Sequence, residues 1–153
     1  MKKYWTKADV AEIEKERSFS ELYEVAELIL KRMKRRGALS IGMVCGPIST
    51  GGLGSRGKNV AVFEKYIKCL RAAGVVIFSQ MIFEKTFWRI MDLPGVTEDH
   101  LLNEFYYPLF RLGLVDVFYF IPGWETSYGA SWEERQADLL GITKVYLMPP
   151  ASP

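Results

Sequence analysis

Val117-Phe118-Tyr119-Phe120-Ile121-Pro122-Gly123-Trp124-Glu125-Thr126-Ser127-Tyr128-Gly129-Ala130-Ser131-Trp132-Glu133-Glu134 decides how this chain is read. Val117 to Ile121 is an uninterrupted apolar run, the pattern of a strand covered on both faces. Arg135 to Leu140 reads as a helix that Gly141 stops. The stretch between is therefore a strand-to-helix crossing, rich in small residues, hydroxyls, tryptophans and carboxylates. In a parallel α/β sheet such a crossing faces the ligand crevice, and the helix start offers N–H groups to an anion. Glu133 is expected one turn inside that helix, within reach of whatever binds. Glu134 should point about 100° away, toward solvent.

A matching unit lies upstream. Leu39 to Cys45 is a short apolar run, again a covered strand. It breaks into Gly46-Pro47-Ile48-Ser49-Thr50-Gly51-Gly52-Leu53-Gly54-Ser55-Arg56-Gly57, and a helix follows from about Asn59 to Ala73, with Gly74 as its stop. Strand, glycine-rich loop and helix let backbone N–H groups approach a phosphate closely. The loop lacks the Gly-Lys-Ser/Thr ending of a P-loop and the spacing of a dinucleotide fingerprint. A plain surface connection is the competing reading. Arg56 is the loop's one cation and a candidate phosphate clamp.

Val75 to Phe83 reads as a second strand. A helix is expected from Thr97 to about Leu112, with Pro108 as a source of a kink. Leu114 to Ile121 is the third strand, Thr143 to Met148 the fourth, and the tail Pro149 to Pro153 closes the domain. Alternating strands and helices with short links predict an α/β fold with right-handed crossovers. The expectation is a Rossmann-like or flavodoxin-like parallel sheet of about four or five strands, order 2-1-3-4, with helices on both faces. That order brings Gly46–Gly57 and Pro122–Ala130 together at the switch point.

Residues 1–37 read as an N-terminal helical extension to an α/β domain over 38–153. Thr6…Asp9 and Ser18…Glu21 match capping-box spacing. Leu22, Val25, Ala26, Ile29 and Met33 form an apolar stripe, and Lys31 to Arg36 complements the dipole before Gly37. A length of 153 residues suits about one domain. A net charge of +2 excludes electrostatic capture of a nucleic-acid polymer. Cys45 and Cys69 read as reduced core thiols, and His100, the lone histidine, as a surface residue. Neither a metal site nor a cofactor is expected. The charged N-terminus argues against a signal peptide, no apolar run reaches a membrane span, and a cytoplasmic location is the default.

Two of these stretches resemble the nucleoside 2-deoxyribosyltransferase superfamily. Gly46-Pro47-Ile48-Ser49-Thr50-Gly51-Gly52 is similar to its Gly-Pro/Ser-Ile loop, and Ser127-Tyr128-Gly129-Ala130-Ser131-Trp132-Glu133…Ala137 to its serine-glycine-glutamate segment. The match is closest to the 2'-deoxynucleoside 5'-phosphate N-hydrolase branch and to small bacterial and phage proteins with Gly-Trp-Glu-x-Ser-x-Gly-Ala. It covers about residues 39–148; the N-terminal helices have no counterpart in it.

The resemblance implies cleavage or transfer at the N-glycosidic bond of a (deoxy)nucleoside or its 5'-monophosphate. Glu133 matches the nucleophile. Ser127, with loop amides at Gly46, Ile48 and Gly129, matches groups that hold a 5'-phosphate or 5'-hydroxyl. Pro47, Ser49, Gly51, Gly52 and Ala130 complete the binding set, and Trp124 is a candidate to stack a base, as are Tyr128 and Trp132. Phe83, Phe87 and Trp88 are wall candidates. The implied partner is a nucleoside or nucleotide, and a homo-oligomer is admitted because family members often complete the site across a dimer. Asp116 matches an aspartate at the strand start, a structural role. The family's second acid falls here near Pro108, so the proton donor is open among Glu104, Glu125 and Asp92. Hence the alternative: a catalytically silent nucleotide-binding module on the same fold. A phosphoribohydrolase of the lysine-decarboxylase-like family is disfavoured because its Pro-Gly-Gly run is missing.

Overall fold

The structure is a computed structural model and describes residues 4–149; of the expected tail Pro149–Pro153, all but Pro149 lies outside that range, as do Met1–Lys3. In chain order the elements are α1 (Lys7–Lys15), α2 (Phe19–Arg35), β1 (Gly42–Cys45), α3 (Arg56–Ala72), a 3-10 turn (Gln80–Phe83), α4 (Glu84–Met91), α5 (Glu98–Leu101), a π turn (Leu102–Tyr106), α6 (Tyr107–Arg111), β2 (Val117–Phe120), a second 3-10 turn (Trp124–Thr126), α7 (Tyr128–Leu140) and β3 (Thr143–Tyr146). They fall into two compact units: residues to Leu39 with Gln80–Leu114, and Ser40–Ser79 with the chain from Val115 onward. No helix among the described residues is long and apolar enough to cross a membrane.

The first unit is helical. The stripe expected on α2 is buried throughout: Leu22, Val25, Ala26, Ile29 and Met33. It packs on the π turn and α6. Aromatic rings fill the centre, with Phe87 and Phe105 at 4.8 Å, Phe83 and Phe105 at 5.2 Å, and Phe19 and Phe87 at 6.1 Å between centroids. Edge and tilted pairs of this kind add to their burial energy. Phe83 and Phe87 are fully buried here, so they serve this core. Pro108 acts where a kink was expected. Proline brings no N–H to the ladder, and the chain answers with a π turn in which Tyr107 N–H donates to Leu102 O.

The capping box predicted at Thr6 is present: Thr6 N–H donates to Asp9 Oδ2 at 2.8 Å and Asp9 N–H to Thr6 Oγ1 at 3.0 Å. Arg32 of α2 donates to both Asp9 oxygens, at 2.6 and 3.2 Å, and to Tyr4 O at 2.7 Å. Burial raises the Asp9 carboxyl, but hydrogen bonds from Arg32 and Thr6 outweigh it and hold it below its usual value. A depressed carboxyl contributes stability that is complete above the unfolded value of 3.8 and lost as pH falls through the folded one. Asp9→Asn keeps a cap but loses the ion pair. Urea denaturation at pH 7 is expected to show a loss of about 1–2 kcal/mol. At pH 3 the gap between the two proteins should narrow; an unchanged gap would count against the ion pair as its origin.

The second unit carries the sheet. β1, β2 and β3 are parallel in that order, with Gly42 beside Val117 and Val117 beside Thr143. The expected strand over Val75–Phe83 shrinks to a single parallel bridge between Ile77 and Gly42, on the β1 edge away from β2. Gly42 N–H donates to Val76 O and Phe78 N–H to Gly42 O, both at 2.8 Å. The sheet therefore has three strands, not four or five, with the bridge at the place of strand two. The reason is that one apolar run supplies two cores. Ile77 and Phe78 are buried in the sheet unit, and Phe83 in the helical unit's aromatic cluster. The chain turns between them at Gln80–Phe83.

Asp116 has the structural role expected of it. Its carboxylate accepts Ile41 N–H at 2.8 Å, and its own N–H donates to Ile41 O at 2.7 Å, seating β2 on β1. Cys69 is a correction: it is exposed on α3, whereas Cys45 is buried at the end of β1.

Candidate functional site

Both loops singled out in the sequence belong to the sheet unit, and they touch. Gly52 N–H donates to Thr126 Oγ1 at 2.7 Å, and Tyr128 N–H to Thr50 Oγ1 at 3.0 Å. Thr126 Oγ1 in turn donates to Gly123 O at 2.6 Å, which fixes the hydroxyl's orientation. The junction is thus built by two threonines, each accepting a backbone N–H from the opposite side: Thr126 from the first loop and Thr50 from the first residue of α7.

The first loop is held from within by Asn59. Its Nδ2 donates to Ile48 O at 3.1 Å and Gly51 O at 3.2 Å, and its Oδ1 accepts Leu53 N–H at 2.9 Å. The side chain is buried, on the α3 stripe that continues through Phe63 and Ile67. The helix starts earlier than Asn59: Ser55 caps it, accepting Lys58 N–H, and Arg56 is its exposed first residue. Of the predicted binding residues, Gly46 and Pro47 are buried, Ile48 and Gly51 half-buried, Ser49 and Gly52 exposed.

The second loop leaves β2 through Gly123, whose φ of 90° only glycine adopts readily. Trp124, a candidate to stack a base, is half-buried and packs on two other aromatic rings. Its ring lies 5.2 Å from Phe120 and 5.7 Å from Tyr146, over the ends of β2 and β3. Ser127 is the N-cap of α7, its Oγ accepting Ala130 N–H at 3.1 Å. The helix therefore begins at Tyr128, not near Arg135, with Tyr128 exposed and Gly129 and Trp132 half-buried. The cap outweighs the poor helix preference of Gly129 and Ser131.

That earlier start moves Glu133 beyond the first turn, where the dipole's help fades. Its support comes from elsewhere. Ala130, Glu133 and Ala137 are the buried residues of α7, so the carboxylate lies on the helix's inward stripe between two alanines. Only 6% of Glu133 is accessible. The Cys45 thiol, fully buried at the end of β1, donates a hydrogen bond to this carboxylate; burial first, then the negative charge and hydrogen bond of Glu133, push the thiol well above its usual range. Glu134, by contrast, accepts from Lys144 Nζ at 3.4 Å at the side of the helix.

No protein-family model, curated protein or solved structure matches this chain. The site is therefore judged on its own geometry. A carboxylate buried to this degree inside a helix's inward stripe is unusual, and buried titratable groups in a cleft cluster where chemistry is done. Among the candidate proton donors, Glu125 is in the same unit, exposed in the 3-10 turn, while Glu104 and Asp92 belong to the helical unit. Trp88 is also there, its indole N–H donating to Glu84 at 3.0 Å. A separate cavity of about 220 Å3 in the sheet unit is lined by Lys65, Tyr66, Cys69, Leu70, Leu147 and Met148. None of these is in the two loops.

Four contributors carried no functional expectation from the sequence. Asn59 left a signal, a polar residue in register with Phe63 and Ile67 on an apolar stripe. Thr50 and Thr126 left none, since loop threonines are ordinary. Cys45 read as core filler because nothing in its own neighbourhood announces Glu133.

Proposed function

We propose that this protein cleaves or transfers at the N-glycosidic bond of a (deoxy)nucleoside or nucleoside 5'-monophosphate, with Glu133 as nucleophile. The observation that carries the reading is the buried Glu133 carboxylate on the inward stripe of α7, in the unit where the two loops join. The resemblance of 46–52 and 127–137 to the nucleoside 2-deoxyribosyltransferase superfamily supports the same chemistry. Glu133 attacks the anomeric carbon, the C–N bond breaks, and its electron pair leaves with the base, which takes up a proton. Water or a second base then attacks the same carbon, gives up a proton to solvent, and releases the carboxylate. The positive charge that develops on the sugar is stabilised by the carboxylate throughout. The glycine-rich loop and the N-terminus of α7 suit the 5'-phosphate or hydroxyl.

A panel of deoxynucleosides and their 5'-monophosphates, with free base followed by chromatography, tests this. Wild type is expected to release base from at least one, and Glu133→Gln to lose about 1,000-fold or more in kcat. No release by wild type, or equal release by Glu133→Gln, rules the reading out. A silent nucleotide-binding module is the second reading. It is favoured by the exposure of Glu125, the remaining acid of the two loops in this unit. Nucleotide-dependent thermal stabilisation without cleavage would select it.

A further inference from the structure

We propose that Cys45 is a positioning residue for Glu133: its thiol holds one carboxylate oxygen from below, so that the other is presented to the sugar. The proposal rests on the glycosidic reading of the site. Its geometry does not. Cys45 ends β1, immediately before the glycine-rich loop, and is fully buried. Glu133 is buried on the inward stripe of α7, and thiol and carboxylate are hydrogen-bonded to each other. Alanines at 130 and 137 flank the glutamate on that stripe, small side chains that leave room beside it for the end of β1.

The chemical identity of the donor matters. A carboxylate meant to attack carbon must be fixed in direction yet keep its electron density. An arginine or lysine would fix it but withdraw charge through a strong, charge-assisted bond. A thiol is a weak donor. It orients the oxygen and takes little from it. Because its own ionisation is pushed far up, the thiol stays protonated and remains a donor throughout the neutral range.

The S–H stretching band in the infrared tests the contact without reference to activity. Cys45 and Cys69 are the chain's only cysteines, so Cys69→Ser, at an exposed position, leaves Cys45 as the single thiol. The band is expected at the low-frequency, hydrogen-bonded position. Adding Glu133→Leu should move it to that of a free thiol, and Glu133→Gln part of the way. A band that does not respond to Glu133→Leu overturns the proposal. In the base-release assay, Cys45→Ala should lose about 10-fold or more in kcat with KM little changed, the signature of a displaced reacting group. Cys45→Ser, which restores a donor, should recover most of it. Wild-type kcat in a folded Cys45→Ala protein would also overturn the proposal; if that variant fails to fold, Cys45→Ser and the infrared band decide. Should the band shift as expected while no protein releases base, the glycosidic reading fails and the thiol–carboxylate clamp stands.

Discussion

Asn59→Leu is expected to lower the stability of the protein by about 2–4 kcal/mol, although leucine is the better helix former and suits the apolar stripe. The loss comes from the loop. One amide side chain satisfies Ile48 O, Gly51 O and Leu53 N–H, and leucine offers none of these bonds. A buried backbone group left unpaired costs about 1–3 kcal/mol. Ile48 and Gly51 are half-buried and Leu53 is exposed, so water recovers part of that cost. The sum stays well short of three full penalties for that reason. Urea denaturation gives the magnitude, and hydrogen exchange at the Leu53 amide locates it: that amide should lose its protection while those of α3 keep theirs. Unchanged protection at Leu53 would mean that the loop is held by something other than Asn59. Since the loop carries Gly46 to Gly52, the same variant should also weaken any nucleotide-induced thermal shift.

How much of this could be foreseen depends on the range of the interaction concerned. β2 and its crossing to a helix were legible because an apolar run broken by proline and glycine is a local signal. Thr6 with Asp9 and the α2 stripe were legible for the same reason. The shortened second strand was not. A continuous apolar run says that residues are buried, not in which core, and Val75–Phe83 is divided between two. The start of α7 was misplaced because Gly129 and Ser131 depress a helical reading that the Ser127 cap restores. The two loops could be picked out from the chain alone, and they do touch. That Thr50 and Thr126 join the loops, and that Cys45 meets Glu133, are products of strand order. Parallel strands carry the residue at the end of β1 to the helix that follows β2, and no spacing along the chain encodes that.

Gly51→Ala is expected to cost about 3–5 kcal/mol, more than Gly54→Ala, although both positions lie in the same loop with positive φ. At Gly51 φ is +69° and at Gly54 +84°, so a side chain is strained at either. That strain alone is worth about 1–2 kcal/mol. The surroundings differ. A Cβ at Gly51 runs into the backbone carbonyl and side chain of Thr126, whereas at Gly54 it meets open space. The Thr126 carbonyl is backbone and has no rotamer to escape into, so the two loops must part. Parting them strains the bonds between Gly52 and Thr126 and between Thr50 and Tyr128. Gly54→Ala therefore reports the backbone strain by itself, and the difference between the two variants reports the loop junction. Equal losses in urea denaturation would mean that the junction contributes nothing to the native fold. A larger loss at Gly51, accompanied by a fall in nucleotide-induced stabilisation that Gly54→Ala does not share, would tie the junction to the site. Stability and binding would then rest on the same few contacts, because the surface that closes one loop on the other is also the surface that a ligand would have to find closed.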